Sequence, residues 1–339
     1  MIAHRVREIR CGRVTANIRE GDHSLGFGDD QKEGLSSGIV VKALGGHYYV
    51  RTSDATVDCG LRGRLKRSRL ETDLVAVGDR VQFQHLANGL GVIEEILPRR
   101  TALSRKTVRL GVEAEQVLVA NPDQVIFVFA MREPSPRIRM LDRFLVVAEV
   151  NELPVVICVN KIDLAAEGEP QTTFGVYEGL GYQVLYTSAV NGAGIDTLRE
   201  ILVGRLSVLA GPSGVGKSSL LNAVEPGLGL AVRDTSRKTG KGRHATVIPE
   251  IIPLNAGGYV ADTPGVKALA LWDLVPEELD AYFPEMRPWI GDCHYPGCSH
   301  VHEPGCAVRA AVERGEISPA RYDSYVRMHE NLAETDWWE

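Results

Sequence analysis

The spacing of apolar residues along the chain marks four stretches. Residues 1–35 carry few periodic apolar positions and include the polar run GDHSLGFGDDQKEG, which reads as a mobile arm. Across 36–103 the apolar residues come in short runs (38–42, 47–51, 55–59, 61–65, 77–83 and 91–96), punctuated by turn formers such as Gly45-Gly46. About five short strands in about 65 residues predict a small barrel of the oligonucleotide/oligosaccharide-binding (OB) type. The segment 98–121 reads as a connector. Over 104–270, unbroken apolar runs alternate with helical spacing. Buried strands are predicted at 124–130, 154–159, 182–186 and 206–210, and helices at 139–150 and 195–203. That alternation predicts a parallel α/β sheet. The last stretch, 271–339, is rich in turn formers, with one helix predicted over 319–334 and an acidic tail holding Trp337 and Trp338.

Composition narrows this picture in two places. A length of 339 residues suits two or three domains. No apolar run approaches the roughly 20 residues of a membrane span. The N-terminal MIAHRVREIR lacks a signal-peptide core, so a cytoplasmic protein away from membranes is expected. The net charge of −6 argues against uniform binding of polyanions, yet the charge is uneven. Residues 38–100 hold 10 Lys/Arg against 7 Asp/Glu, a local +3, whereas 270–339 hold 5 Arg against 14 Asp/Glu, a local −9. The barrel has Tyr48 and Tyr49 for stacking and a basic cluster at Arg62, Arg64, Lys66, Arg67 and Arg69. These suit RNA. The alternative is that one tyrosine is core and the arginines solvate a loop.

The chemistry concentrates in three motifs. Residues 206–220 read LSVLAGPSGVGKSSL: a strand, then a loop fitting G-x-x-x-x-G-K-[ST] (Gly211, Ser213, Gly214, Val215, Gly216, Lys217, Ser218), then Ser219 on a helical pattern. Glycines let successive N–H groups surround a phosphate, Lys217 reaches the β- and γ-phosphates, and Ser218 ligates Mg²⁺. After the strand at 154–159 comes Asn160-Lys161-Ile162-Asp163, which resembles the guanine-specificity motif of GTPases. A carboxylate at Asp163 accepts from guanine N1–H and the 2-amino group, a donor pair adenine lacks. Thr187-Ser188-Ala189 matches the companion loop. Asp262-Thr263-Pro264-Gly265 resembles switch II, with Asp262 toward Mg²⁺ and Gly265 toward the γ-phosphate. The polar stretch 238–246 suits switch I. Thr246 is the candidate Mg²⁺ ligand there, and Thr235 and Thr239 are alternatives. The order is permuted: the guanine motifs precede the phosphate loop instead of following switch II.

A fourth pattern is metal-like. Cys293-x4-Cys298-x-His300-x5-Cys306 offers three thiolates and an imidazole, which suits a closed tetrahedral Zn²⁺ site. His294 and His302 are alternative fourth ligands.

Together these motifs resemble the RsgA (YjeQ) family of circularly permuted GTPases over nearly the whole length, from Gly38 to about residue 330. The resemblance implies an N-terminal OB barrel (36–103), a permuted α/β GTPase domain (104–270) and a C-terminal zinc-binding helical domain (271–339). It further implies GTP hydrolysis stimulated by the small (30S) ribosomal subunit, contact with 16S rRNA, and release after hydrolysis. A monomer carrying one Zn²⁺, with Mg²⁺ accompanying GTP, is expected. Two features depart from the family pattern. Gly242-Arg243-His244-Ala245-Thr246-Val247 replaces a threonine-rich switch I, and the C-terminal end is acidic. Val266 follows the switch II glycine, and an apolar residue cannot orient water, so His244 is the candidate for that task, with a structural role as its alternative. Competing readings are a GTP-gated rRNA-binding module with incidental turnover, and a metabolic kinase.

Overall fold

The computed structural model describes residues 34–67, 75–109, 112–230, 250–262 and 274–333. The barrel is built from β1 (Ser36–Leu44), β2 (His47–Arg51), β3 (Thr56–Leu61), β4 (Arg80–His85) and β5 (Gly91–Ile96). Their order is β1-β2-β3-β5-β4, and β1 pairs β4 from Ser36↔Phe83 to Ile39↔Arg80, which closes the ring. Alternate side chains (Val40, Val50, Val57, Cys59, Val81, Phe83 and Ile93) fill its interior. Burial pushes the Cys59 thiol up to about 12, with the Asp58 charge adding to the effect, so it packs as a neutral apolar group.

The expected strand at 61–65 is corrected. Leu61 ends β3, and Gly63–Arg67 forms a short helix, α1. Over five residues a period of two and a helical i, i+4 pair coincide, and Leu61 and Leu65 both pack on the barrel core. The expected connector at 98–121 is likewise a two-stranded antiparallel ribbon, β6 (Ala102–Arg109) with β7 (Val112–Ala120). Polar residues gathered between 104 and 116 hide the strands, while buried Leu103 and Val119 pair across its base.

The α/β region contains β8 (Gln124–Ala130), α2 (Ile138–Val150), β9 (Val155–Asn160), α3 (Glu169–Gly179), β10 (Gln183–Tyr186), α4 (Ile195–Leu202), β11 (Leu206–Ala210), α5 (Lys217–Val224), β12 (Glu250–Pro253) and β13 (Tyr259–Asp262). The strands lie in the order β10-β9-β8-β11-β13-β12, all parallel except β12. Every residue of β8 is buried. Val125, Phe127 and Phe129 face α2 and α3, while Ile126, Val128 and Ala130 face α4 and α5. β11, which leads into the phosphate loop, lies between β8 and β13, so the loop leaves from the middle of the sheet. The apolar spacing predicts no helix at α3. Its two glycines and two threonines are poor helix formers, and burial of Phe174 and Tyr177 stabilises it. One residue pair, Lys42↔Glu250, joins barrel strand β1 to β12, reinforced by an exposed 3.0 Å ion pair.

The C-terminal elements, a 3₁₀ segment (Pro276–Tyr282), α6 (Ala307–Glu313) and α7 (Pro319–Ala333), pack on α2 and α3 in one continuous core. A buried charge network locks that junction. Arg321 Nη1 donates to Asp142 Oδ1 at 2.8 Å, and its Nε and Nη2 donate to Glu285 at 2.7 and 3.1 Å. Tyr177 and Ser324 hydroxyls donate to the same Asp142 carboxylate. Arg321 is 2% exposed and Asp142 0%. Burial pushes the Arg321 guanidinium down, but the hydrogen bonds and charges of Glu285 and Asp142 outweigh that and keep it charged. Arg321→Met leaves two carboxylates buried without a cation. Urea unfolding of the full chain is expected to record a loss of about 3–5 kcal/mol.

Candidate functional site

The phosphate loop begins one residue beyond β11. Gly211 has φ +149°, and a Cβ there would lie 2.1 Å from Val128 O, so only glycine lets the loop leave the sheet so close to β8. Gly216 (φ +95°) precedes α5, and a Cβ on it would lie 2.4 Å from Asn160 Nδ2. That close approach matters, because Asn160 Nδ2 donates to Val215 O at 2.8 Å. The buried Asn160 side chain thereby ties the end of β9 to the phosphate loop. Lys217 opens α5, and its Nζ donates to Gly211 O at 2.8 Å and Pro212 O at 2.9 Å, spanning the loop from inside. Ser218 and Ser219 follow in the first turn, half-buried, while Ser213 is exposed at the loop's outer side and Gly214 is half-buried with φ +85°. The loop N–H groups and the start of α5 suit a polyphosphate.

The guanine-type motif assembles next to it. Lys161 adopts a left-handed conformation (φ 60°), and its Nζ donates to Glu133 O. Thr187 N donates to Val159 O at 2.7 Å and Ile162 N to Thr187 O at 3.2 Å, which lock the 187–189 loop beside 160–163. Ser188 Oγ donates to Asp163 Oδ1 and accepts N–H groups of Val190 and Asn191, each at 3.3 Å. Asp163 is exposed, so its carboxylate is fixed by Ser188 yet open to a base. Ala189 packs on the α4 and α5 side of the sheet. Strands that are distant in sequence thus deliver Asn160, Asp163, Ser188 and Lys217 to one edge of the sheet.

Asp262 ends β13 opposite Leu209, and its backbone position is the part described. His244, Thr246, Thr235, Thr239, Gly265 and Val266 lie outside the described residues, as do residues 1–33, Arg69 and the Trp337-Trp338 tail. On the barrel, Tyr48 packs against the core, while Tyr49, on the opposite face of β2, lies away from it. Arg62 and Arg64 converge on Glu94 at 3.2 and 3.3 Å with their side chains more than half exposed. Lys66 and Arg67 belong to α1 by backbone.

The cysteine and histidine cluster forms in the C-terminal segment. Donor atoms of Cys293, Cys298, His300 and Cys306 all lie within 4.8 Å of one another. Cys293 Sγ to His300 Nδ1 and His300 Nδ1 to Cys306 Sγ are 3.4 Å each, and Cys293 Sγ to Cys306 Sγ is 3.9 Å. Tetrahedral Zn–S and Zn–N bonds imply donor separations of about 3.5–3.8 Å, so this donor set fits a four-coordinate metal. His294 and His302 are exposed and stand outside the cluster. His300 Nε2 faces Asp280 Oδ2 at 3.1 Å, which orients Nδ1 toward the thiols. Asp280 carries no motif and lies 20 residues before His300, so sequence reading had no signal for it. Tyr322 and Tyr325 hydroxyls donate to His300 O and Ser299 O, each at 2.7 Å, clamping the loop from α7. Burial opposes ionisation of Glu303, but hydrogen bonds from Ser299 and His302 hold its carboxyl down at about 2 as it closes the same loop.

The chain is similar to known proteins over most of its length. The RsgA GTPase family model matches residues 96–272, and the RsgA N-terminal domain model matches 37–93. The small ribosomal subunit biogenesis GTPase RsgA of Moorella thermoacetica is 47% identical over 292 residues, 85% of this chain and 94% of that protein. Its counterpart in Gemmatimonas aurantiaca is 43% identical over 300 residues, 88% of this chain and 97% of that one. The crystal structure of YjeQ from Thermotoga maritima superposes with a TM-score of 0.74 at 38% identity, covering 89% of this chain and 100% of that chain. That of YloQ, a circularly permuted GTPase, gives 0.69 at 33%, covering 91% and 98%. With a phosphate loop braced by an N-K-x-D asparagine from an earlier strand, and with identities of this size over most of its length, the chain belongs to the RsgA family of circularly permuted GTPases.

Proposed function

We propose that this GTPase acts in late maturation of the small ribosomal subunit, with hydrolysis accelerated by the subunit and coupled to its release. The observation that carries this reading is the joining of two surfaces in one sheet. An RNA-suited barrel edge pairs, through Lys42↔Glu250, with the strand next to switch II strand β13. The relatives' name, small ribosomal subunit biogenesis GTPase, supports the choice of partner. In this reading the barrel, through Tyr49, Arg62 and Arg64, meets 16S rRNA in the cytoplasm, and a single copy of the chain acts on each subunit.

The proposed nucleotide contacts are those of the sequence motifs. Asp163 reads guanine, Asn160 and Ser188 hold that loop, the 211–218 backbone and Lys217 cradle the phosphates, and Ser218 with Thr246 ligates Mg²⁺. Asp262 and Gly265 sense the γ-phosphate, and His244 orients water once the subunit is bound. The Cys293, Cys298, His300 and Cys306 donors take one structural Zn²⁺, whose chemistry there is to staple the segment.

GTP hydrolysis measured with and without purified small subunits tests the central claim. Strong stimulation is expected; none would favour the RNA-binding module with incidental turnover. The base assignment has its own test. Asp163→Asn replaces a charged double acceptor with an amide that turns a donor toward the 2-amino group, so GDP affinity is expected to fall roughly 100-fold or more. Calorimetry with GDP and ADP checks it, and an unchanged GDP affinity would remove Asp163 from the site.

A further inference from the structure

The loop carrying Asp163 is held from outside by two consecutive residues that follow β8, and none of the nucleotide motifs includes them. Glu133 O accepts Lys161 Nζ, which anchors the near end. Arg132 serves the far end. Its Nη1 donates to Met131 O at 2.8 Å, which fixes the guanidinium against the backbone just beyond β8. Its Nη2 donates to both oxygens of Glu169 at 2.7 and 2.9 Å. Glu169 Oε2 in turn accepts Ala166 N–H at 3.0 Å, so one carboxylate joins the loop end, the start of α3 and the exit of β8. The Arg132 hydrogen bond, then that of Ala166, hold the Glu169 carboxyl below the usual carboxylate range. Asp163, between these anchors, has only Ser188 bound to its own side chain among the described contacts.

We propose that Arg132 and Glu169 are positioning residues for guanine recognition, clamping the 161–168 loop so that Asp163 is presented to the base in a fixed place. The proposal rests on Asp163 as the guanine acceptor. Asp163 lies in the 3₁₀ turn Ile162–Leu164 of this segment, and that turn must be held in place before the carboxylate discriminates between bases. A segment tied at both ends has less freedom to lose on binding. The pair is 43% and 31% exposed, so it adds little to global stability, and its effect falls on the loop.

The test is nucleotide discrimination by the full-length protein. Kd values for GDP and ADP are measured for wild type, Arg132→Ala, Glu169→Gln and the double variant, alongside melting temperatures. Either single change is expected to weaken GDP about two- to five-fold, the range set by an exposed ion pair, and to leave ADP unchanged, because ADP is held through its phosphates. The double variant is expected to be no worse than the singles, since both remove one contact. An unchanged GDP-to-ADP ratio in both single variants, or fully additive effects in the double, would overturn the clamp. A lowered melting temperature with that ratio unchanged would overturn it in favour of a purely structural pair. Wild type binding ADP as tightly as GDP would instead overturn the assignment of Asp163 beneath it.

Discussion

Stripping the metal from the Cys293, Cys298, His300 and Cys306 cluster is expected to open the C-terminal segment. Between Leu274 and Cys306 the chain holds one 3₁₀ segment and otherwise turns, so few backbone hydrogen bonds fix it. Its first half is held by buried Leu279, Phe283 and Met286 and by the Arg321–Glu285 pair. Residues 293–306 are held by the four-donor cluster, the His300–Asp280 contact, the Glu303 hydrogen bonds and the two tyrosine clamps from α7. A structural Zn²⁺ in such a segment contributes roughly 10 kcal/mol of binding free energy, more than a few neutral hydrogen bonds supply. Without it, the four donors would crowd together with nothing bonded between them, and Asp280 would orient His300 toward an empty centre. Because α6 and α7 share a core with α2 and α3, the opening also exposes apolar surface of the GTPase sheet. Chelation, or Cys298→Ser, is expected to lower the melting temperature and to create new protease cleavage within 274–306. Metal analysis of the purified chain is expected to find one zinc. An unaltered melting curve in the metal-free protein would show that the side-chain packing suffices alone.

Much of this was legible in the sequence, for a specific physical reason. Buried parallel strands are unbroken apolar runs, so β8, β9 and β11 stand out. Phosphate and metal sites need fixed residue types at fixed spacing, so the 211–218 loop and the Cys/His cluster do too. The unread parts depend on partners far away in the chain. The β6–β7 ribbon has its polar residues gathered between 104 and 116, where no apolar run marks a strand, and only pairing reveals it. The α3 helix contains poor helix formers and exists because Phe174 and Tyr177 are buried. No sequence pattern marks Asp142 on α2 as buried; it is 0% exposed and Arg321, 179 residues later, supplies its counter-charge. Arg132 and Glu169 are ordinary surface residues until the fold places them together. Permutation itself was readable as motif order, and the strand order β12-β13-β11-β8-β9-β10 shows why it is tolerated. The guanine-side strands stay beside the phosphate-loop strand whichever is made first.

Lys217→Ala is expected to produce the largest loss of activity. The ammonium sits at the first residue of α5 and bridges Gly211 O and Pro212 O, so it performs two tasks. It ties the Gly211 and Pro212 carbonyls to the start of α5, which holds the loop in one shape. In the proposed site it would also bring a full positive charge to the β- and γ-oxygens of GTP, a charge that gains weight as the transferred phosphoryl group develops charge. Removing one such donor costs roughly 100- to 1,000-fold in turnover. Part of the loss should appear as weaker binding, because the loop loses its internal tie as well as the charge. Lys217→Arg is not expected to rescue it. The planar guanidinium is longer and cannot direct donors to two carbonyls and a phosphate from the same point. Single-turnover GTP hydrolysis separates the two tasks. A variant that binds GTP normally and hydrolyses slowly would assign Lys217 to charge stabilisation alone. One that fails to bind would assign it chiefly to shaping the loop. Turnover within a few-fold of wild type would show that the loop N–H groups and Mg²⁺ are sufficient, and that the lysine in this motif is dispensable here.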